Sequence, residues 1–212
     1  MNRSKQVRIA GAGPAGLSAA LVLARAGISV EVRERCSFVG ARFRDSVHGI
    51  ENWTSEDGFA ERLRGWGLDL GRTLTPCHEL LLCNDGACRR VRFRSPLFYL
   101  VVRGPDPGYL EAELLRGARE AGATIKFGDA FTEGEVDLDA TGPASARRVC
   151  VEVGIKFRTG APNLAVGLIS ARATPAGYAY LLIHEGRASL CAVRFDGQSV
   201  DQAQLRECER LL

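Results

Sequence analysis

The chain has 212 residues, is 46% hydrophobic and 25% charged, and carries a net charge of +3. That length admits one large domain or two small ones, with enough interior to fold unaided. So balanced a charge argues against a nucleic-acid partner, and the densest basic patch, Arg89-Arg90 with Arg92 and Arg94, lies on a run whose alternation sends part of it to a solvated face.

The seven cysteines (36, 77, 83, 88, 150, 191 and 208) are odd in number and form no repeated close pair. Cys83 and Cys88 bracket a candidate hairpin, but no second pair or neighbouring histidine completes a zinc set. They read as reduced thiols, and no metal site is expected. The basic Met1 to Lys5 followed by apolar residues imitates a signal peptide, yet Arg8 and the glycines after it interrupt the pattern. No stretch approaches the roughly 18 apolar residues of a membrane helix, so a soluble, cytoplasmic protein is expected.

The first strong pattern is Val7-Arg8-Ile9-Ala10, then Gly11-Ala12-Gly13-Pro14-Ala15-Gly16, a helical run to Ala26-Gly27, and Ile28 to Glu34. Strand, glycine turn, helix, strand and terminal acid follow the dinucleotide-binding order. Gly11 permits the turn, Gly13 admits a pyrophosphate close to the backbone, and Gly16 lets the helix sit on the strand. Pro14 suits the first helical turn, where its missing N–H costs nothing. The helix N-terminus then offers unpaired N–H groups and partial positive charge. Glu34 stands 23 positions beyond Gly11, near the roughly 20 expected for an acid that accepts from a ribose hydroxyl. Arg33 and Arg35 beside it would suit a 2′-phosphate, whereas the acid suits a free hydroxyl.

Leu17, Ala20, Leu21 and Ala24 make one helical face, and Gly27 is a left-handed stop. Ile28, Val30 and Val32 alternate with polar residues, and the charges on the other side predict a strand away from the sheet centre. From Cys36 to Trp66 the chain reads as a cofactor-covering loop with a helix near Glu56–Arg64; Arg42 and Arg44 are placed to reach a nucleotide, and His48 and Trp53 read as local packing. Glu79 to Cys83 and Cys88 to Phe93 flank Asn84-Asp85-Gly86-Ala87, a hairpin signal. An apolar run covers Leu97 to Val102. A helix follows from Tyr109 to Ala121, stopped by Gly122, then a strand from Ala123 to Phe127. Glu135 to Gly142 predicts a strand ending in a turn. Beyond lie four strands, 149–158, 164–170, 178–184 and 188–195, and a polar helix from Val200 to Leu212. The second domain is interleaved with the first.

This order resembles the FAD-dependent oxidoreductases of the geranylgeranyl reductase and para-hydroxybenzoate hydroxylase group. The resemblance is carried by Gly11 to Gly16 with Glu34, by Arg103-Gly104 before the Tyr109 helix, by Asp139-Ala140-Thr141-Gly142, and by Pro175 to Tyr180. It implies an α/β, Rossmann-like FAD/NAD(P)-binding fold with an interleaved antiparallel β substrate domain. Residues 1–72 would form the nucleotide part, 73–102 a hairpin insertion of the substrate domain, 103–145 the return to the FAD domain, and 146–212 the substrate domain and terminal helix. Gly11, Gly13, Pro14, Ala15 and Gly16 would cradle the FAD pyrophosphate and Glu34 the adenosine ribose, with Arg35, Arg44 and Arg103 near phosphate or flavin. Such proteins carry a later Gly-Asp motif and helix. Here the only Gly-Asp pair, Gly128-Asp129, precedes the Asp139 motif, so the chain is expected to lack the C-terminal part of the FAD domain.

The implied activity is an FAD-dependent oxidoreductase that takes hydride from NAD(P)H and reduces or hydroxylates a small hydrophobic organic substrate. No catalytic side chain stands out, because in such chemistry the cofactor carries the difficult step. Two other readings stay open: an NAD(P)-dependent dehydrogenase without flavin, and a non-catalytic nucleotide-binding module.

Overall fold

The structure, a computed structural model, describes residues 6–54, 57–132, 134–142 and 150–212. In chain order its elements are β1 (Val7–Ala10), α1 (Pro14–Arg25), β2 (Val30–Glu34), β3 (Val47–Glu51), α2 (Phe59–Gly65), β4 (Thr75–Cys77), β5 (Glu79–Asn84), β6 (Cys88–Arg92) and β7 (Phe98–Val102). They continue with α3 (Leu110–Glu120), β8 (Thr124–Phe127), β9 (Leu138–Asp139), β10 (Val151–Arg158), β11 (Leu164–Ile169), β12 (Gly177–His184), β13 (Arg187–Arg194) and α4 (Gln202–Leu211). The chain divides into two compact units. The first comprises Met1–Arg44, Asp57–Leu74 and Val102–Ala144; the second Asp45–Glu56, Thr75–Val101 and Ser145–Leu212. Glu56 and Val149, ends of a predicted helix and strand, and the boundary expected at 145–146 lie outside the described residues.

The first unit is built on a parallel sheet of order β8-β2-β1-β9. Ile9, Val30 and Val32 turn inward, and Leu17, Ala20 and Leu21 of α1 are buried with Leu114 and Ala118 of α3. The two helices pack against each other at Gly117 of α3, where an added Cβ would stand at an ordinary contact distance, 3.5 Å, from Leu21 Cδ2. Gly27, at φ +78°, ends α1 with its N–H on Ala24 O and the Ile28 N–H on Leu23 O, the paired bonds that satisfy a helix's last carbonyls.

Two expectations need correction here. β2 is not peripheral: Val32 is paired with Ile9 on one side and with Ile125 on the other. Its charges are tolerated there because they satisfy one another. Glu31 accepts from Arg33 Nε at 2.7 Å and Lys126 Nζ at 3.1 Å, and the Arg33 guanidinium lies 4.3 Å from the Phe131 ring centroid. The strand predicted over Glu135–Gly142 is only the two residues of β9. Asp137 accepts the Arg8 N–H and Asp139 turns back onto the Thr141 N–H, so carboxylates take donors that a longer ladder would use.

The second unit holds a six-stranded sheet, β10-β13-β12-β11-β5-β6, and a three-stranded one, β3-β7-β4. The large sheet is antiparallel except where β5 runs parallel to β11. One face buries Val166, Leu168, Ala179, Leu190 and Ala192 with Leu205 and Cys208 of α4. Asp201 caps that helix, accepting the Gln204 N–H at 2.7 Å while Gln204 reaches back to the Asp201 N–H. The other face meets the small sheet through Val47, Leu100, Ala165 and Leu182. The Cys36–Trp66 stretch is therefore not all loop. Its β3 belongs to this unit, held by the Val47 N–H on Ser189 Oγ at 2.8 Å.

Cys83 and Cys88 are joined in a disulfide, which corrects the reading of all seven cysteines as free thiols. They stand opposite each other in the β5–β6 register, with Cα atoms 4.0 Å apart, because the Asn84 side chain closes the turn on the Gly86 and Ala87 N–H groups. No described helix is long and apolar enough to cross a membrane.

Candidate functional site

In the first unit the glycine turn is fixed by contacts that leave no room for side chains. Gly11 has φ +95°, and a Cβ there would stand 2.6 Å from Ala140 O. A Cβ on Gly16 would overlap the Gly11 carbonyl oxygen. Gly13 differs: its φ of −77° and ψ of 178° suit any residue, and a Cβ would meet nothing within 4 Å. The one glycine with open space in front of it is also the residue at the start of α1. The first intrahelical bond is the Leu17 N–H to Gly13 O, 3.0 Å, and no side chain caps the helix. The Ala15 and Gly16 N–H groups upstream of that bond suit an anion.

Glu34 ends β2 beside this turn. Its Oε2 accepts the Ala12 N–H at 2.8 Å and its Oε1 accepts the Cys36 N–H at 2.9 Å. Burial pushes the carboxyl pKa up, but the N–H groups of Cys36 and Ala12, with the Arg35 charge, outweigh it and hold the group below its ordinary range. Glu34 is thus an anion already tied to the turn. Its lone-pair capacity exceeds two bonds, so it can still accept from a hydroxyl. The Cys36 N–H was not legible as part of the site, since a backbone donor leaves no mark in sequence.

The three arginines fare differently. Arg35 is exposed beside Glu34, and Arg44 is exposed at the end of a single 3-10 turn, Ala41–Phe43. Arg103 is fixed: its Nε meets Glu111 Oε1 at 2.6 Å and its guanidinium lies 4.9 Å from the Phe43 ring centroid. Glu111 is only 1% exposed, and its second oxygen accepts the Gly104 N–H at 2.9 Å. Gly104 lies against Gly40, where a Cβ would come 2.6 Å from the Gly104 Cα. Sequence reading missed Glu111 and Phe43. An acid in the first turn of α3 looks like an ordinary helix-dipole partner, and only the fold turns it toward Arg103.

The second unit has its own concavity, a cavity of about 770 Å³ between the small sheet and one face of the large one. Phe98 and Trp53 line it on one side and Leu80, Leu82, Tyr178 and Tyr180 on the other. Trp53 is 63% exposed, so it is not the packing residue that its sequence context suggested. Tyr180 Oη donates to Glu152, and burial, with Cys191 and Glu152 alongside, raises the pKa of that phenol. Burial pushes the neighbouring Cys191 thiol up to about 12, so both groups stay protonated at neutral pH.

Residues 4–47 match the FAD binding domain family, a span that ends just inside β3. No curated protein matches the sequence. Among solved structures, a geranylgeranyl bacteriochlorophyll reductase-like protein from Thermoplasma acidophilum superposes with a TM-score of 0.67 at 14% identity, covering 97% of this chain and 60% of its own. PqsL, a probable FAD-dependent monooxygenase from Pseudomonas aeruginosa, gives 0.63 at 17% identity, with coverages of 96% and 63%. CtdE, solved in complex with FAD and a substrate, gives 0.63 at 13%, with 90% and 57%. These likenesses establish the fold, a Rossmann-like α/β unit with interleaved antiparallel sheets. The chain spans about 60% of the length of these structures.

Proposed function

We propose that the chain binds FAD at the glycine turn and serves an FAD-dependent oxidoreductase. The observation that carries this reading is Gly13, open on its Cβ side at the N-terminus of α1, within a segment that matches an FAD binding domain. Gly11 and Gly16 shape the turn, Pro14 starts the helix without wasting a donor, and the Ala15 and Gly16 N–H groups take the pyrophosphate. Glu34 accepts from the adenosine ribose while its bonds to Ala12 and Cys36 keep it in place. Arg103, held by Glu111 and Phe43, and Arg35 and Arg44 supply positive charge for phosphate or flavin. When bound, FAD supplies two-electron redox chemistry. NAD(P)H is the proposed electron source, and a small hydrophobic organic molecule the proposed substrate.

The test is an absorbance spectrum of the folded protein after incubation with FAD and removal of the excess. Flavin bands are expected to remain with the native chain and vanish in Gly13→Val, whose urea midpoint should stay close to the native one because a Cβ there meets no protein atom within 4 Å and only the N-cap preference for glycine is lost. Absence of retained flavin in the folded native chain, or flavin retained equally by Gly13→Val, overturns the reading.

A further inference from the structure

Three glycines lie in the strands of the large sheet, and two of them are dictated by packing. A Cβ on Gly154 would overlap Cys191 Sγ, and one on Gly177 would overlap the Val193 carbonyl oxygen. Gly167, in the middle of β11, is different. It has no left-handed φ, and a Cβ would sit 3.6 Å from Leu82 Cδ1 and 3.9 Å from Leu80 Cδ1 and Cδ2, ordinary contact distances. Neither backbone conformation nor collision requires glycine there. A strand-interior glycine is nonetheless destabilising, having no side chain to pack and more backbone freedom to lose.

The missing side chain faces the cavity. Gly167 is paired with Tyr180 on β12 and Leu82 on β5, and all three line it. Across the space stand Phe98 and Trp53. Tyr178 continues the aromatic wall, its ring 6.3 Å from that of Tyr180. Aromatic surfaces on opposed walls with bare backbone between them suit a flat apolar molecule that stacks on rings and lies against the strand. Glu51 on the rim and Glu152 behind Tyr180 oppose a negative charge on the ligand.

We infer that Gly167 is a specificity-determining residue: it keeps open the floor of a site in the second unit for a flat, uncharged aromatic ligand. That the ligand is the substrate rests on the oxidoreductase reading; that it binds does not.

The experiment is titration calorimetry of the full chain with 2-naphthol, without flavin or nicotinamide, alongside thermal melting. Gly167→Val should weaken 2-naphthol binding at least about tenfold through added bulk. The same variant should leave Tm unchanged or raise it, since a β-branched residue favours the strand. Gly154→Val, by contrast, should lower Tm sharply. 2-Naphthoate should bind the native chain more weakly than 2-naphthol. Undetectable 2-naphthol binding by the native chain, equal binding by Gly167→Val, a lowered Tm for that variant, or naphthoate binding as tightly as naphthol each overturns the inference. Because no cofactor is present, loss of the flavin spectrum with 2-naphthol binding intact would sink the oxidoreductase reading alone, and the reverse result would sink this one alone.

Discussion

In the first unit, side chains on Gly11 and Gly16 would run into the backbone of Ala140 and Gly11, whereas in the second a side chain on Gly167 would meet only leucine methyl groups at ordinary distance. The first unit has backbone packed on backbone and no slack where its turn is made. The second has slack at the middle of its sheet, where packing would ordinarily remove it. Rigidity at one place and retained space at another are different ways of preparing a surface, and they should respond differently to the same kind of substitution.

The sharpest break should come from Gly16→Val. With no way to place a Cβ, the turn must open, and we expect a loss of about 3 kcal/mol in urea denaturation. Next is Glu111→Ala, which leaves Arg103 beside an emptied, buried space. Removing one partner of a buried pair costs about 3 to 5 kcal/mol, and because Arg103 keeps 15% exposure the lower end is expected, about 3 kcal/mol by the same measurement. In the second unit Cys88→Ser opens a five-residue separation, and chain-entropy arguments give about 2 kcal/mol, read as a lower urea midpoint under oxidising conditions and no difference from the native chain under reducing ones.

The smallest effect is a pH dependence in the second unit. His184 is 5% exposed, its Nδ1 has no hydrogen-bond partner, and burial lowers its pKa, with Arg187 adding to that and Glu185 opposing it. The unfolded chain therefore takes up a proton that the folded one refuses. Stability is fully present above the ordinary value of 6.5 and declines as pH falls through it toward the folded pKa. Melting curves from pH 7.5 to 5 should show this decline, and His184→Leu should flatten it. An equal decline in the variant would assign it to other groups.

The strand, turn, helix and acid of residues 7–34 were legible because each signal depends on neighbours within about one turn or strand. β2's central place was not, since Val32 meets Ile125 across more than ninety intervening residues. β3 escaped for a related reason: Val47 is the buried member of a short run containing His48 and Gly49, and its anchor, Ser189, lies 142 residues on. The disulfide and the Glu111–Arg103 pair show the same limit at the level of side chains. Spacing put Cys83 and Cys88 on one hairpin and Glu111 near the start of a helix, but which group each one meets depends on register and on how the loop before α3 turns.

The distribution of the second unit along the chain has a consequence for synthesis on the ribosome. β5 and β6 can close as a hairpin early, but Leu81 and Leu82 wait for β11, which pairs with them only after residue 164 has emerged, and Val47 waits for Ser189. The segments of the first unit, by contrast, all lie before residue 145 of this chain. During translation the nascent chain therefore carries apolar strands of the second unit that stay unmatched long after they emerge, a window in which chaperone engagement and aggregation compete with folding.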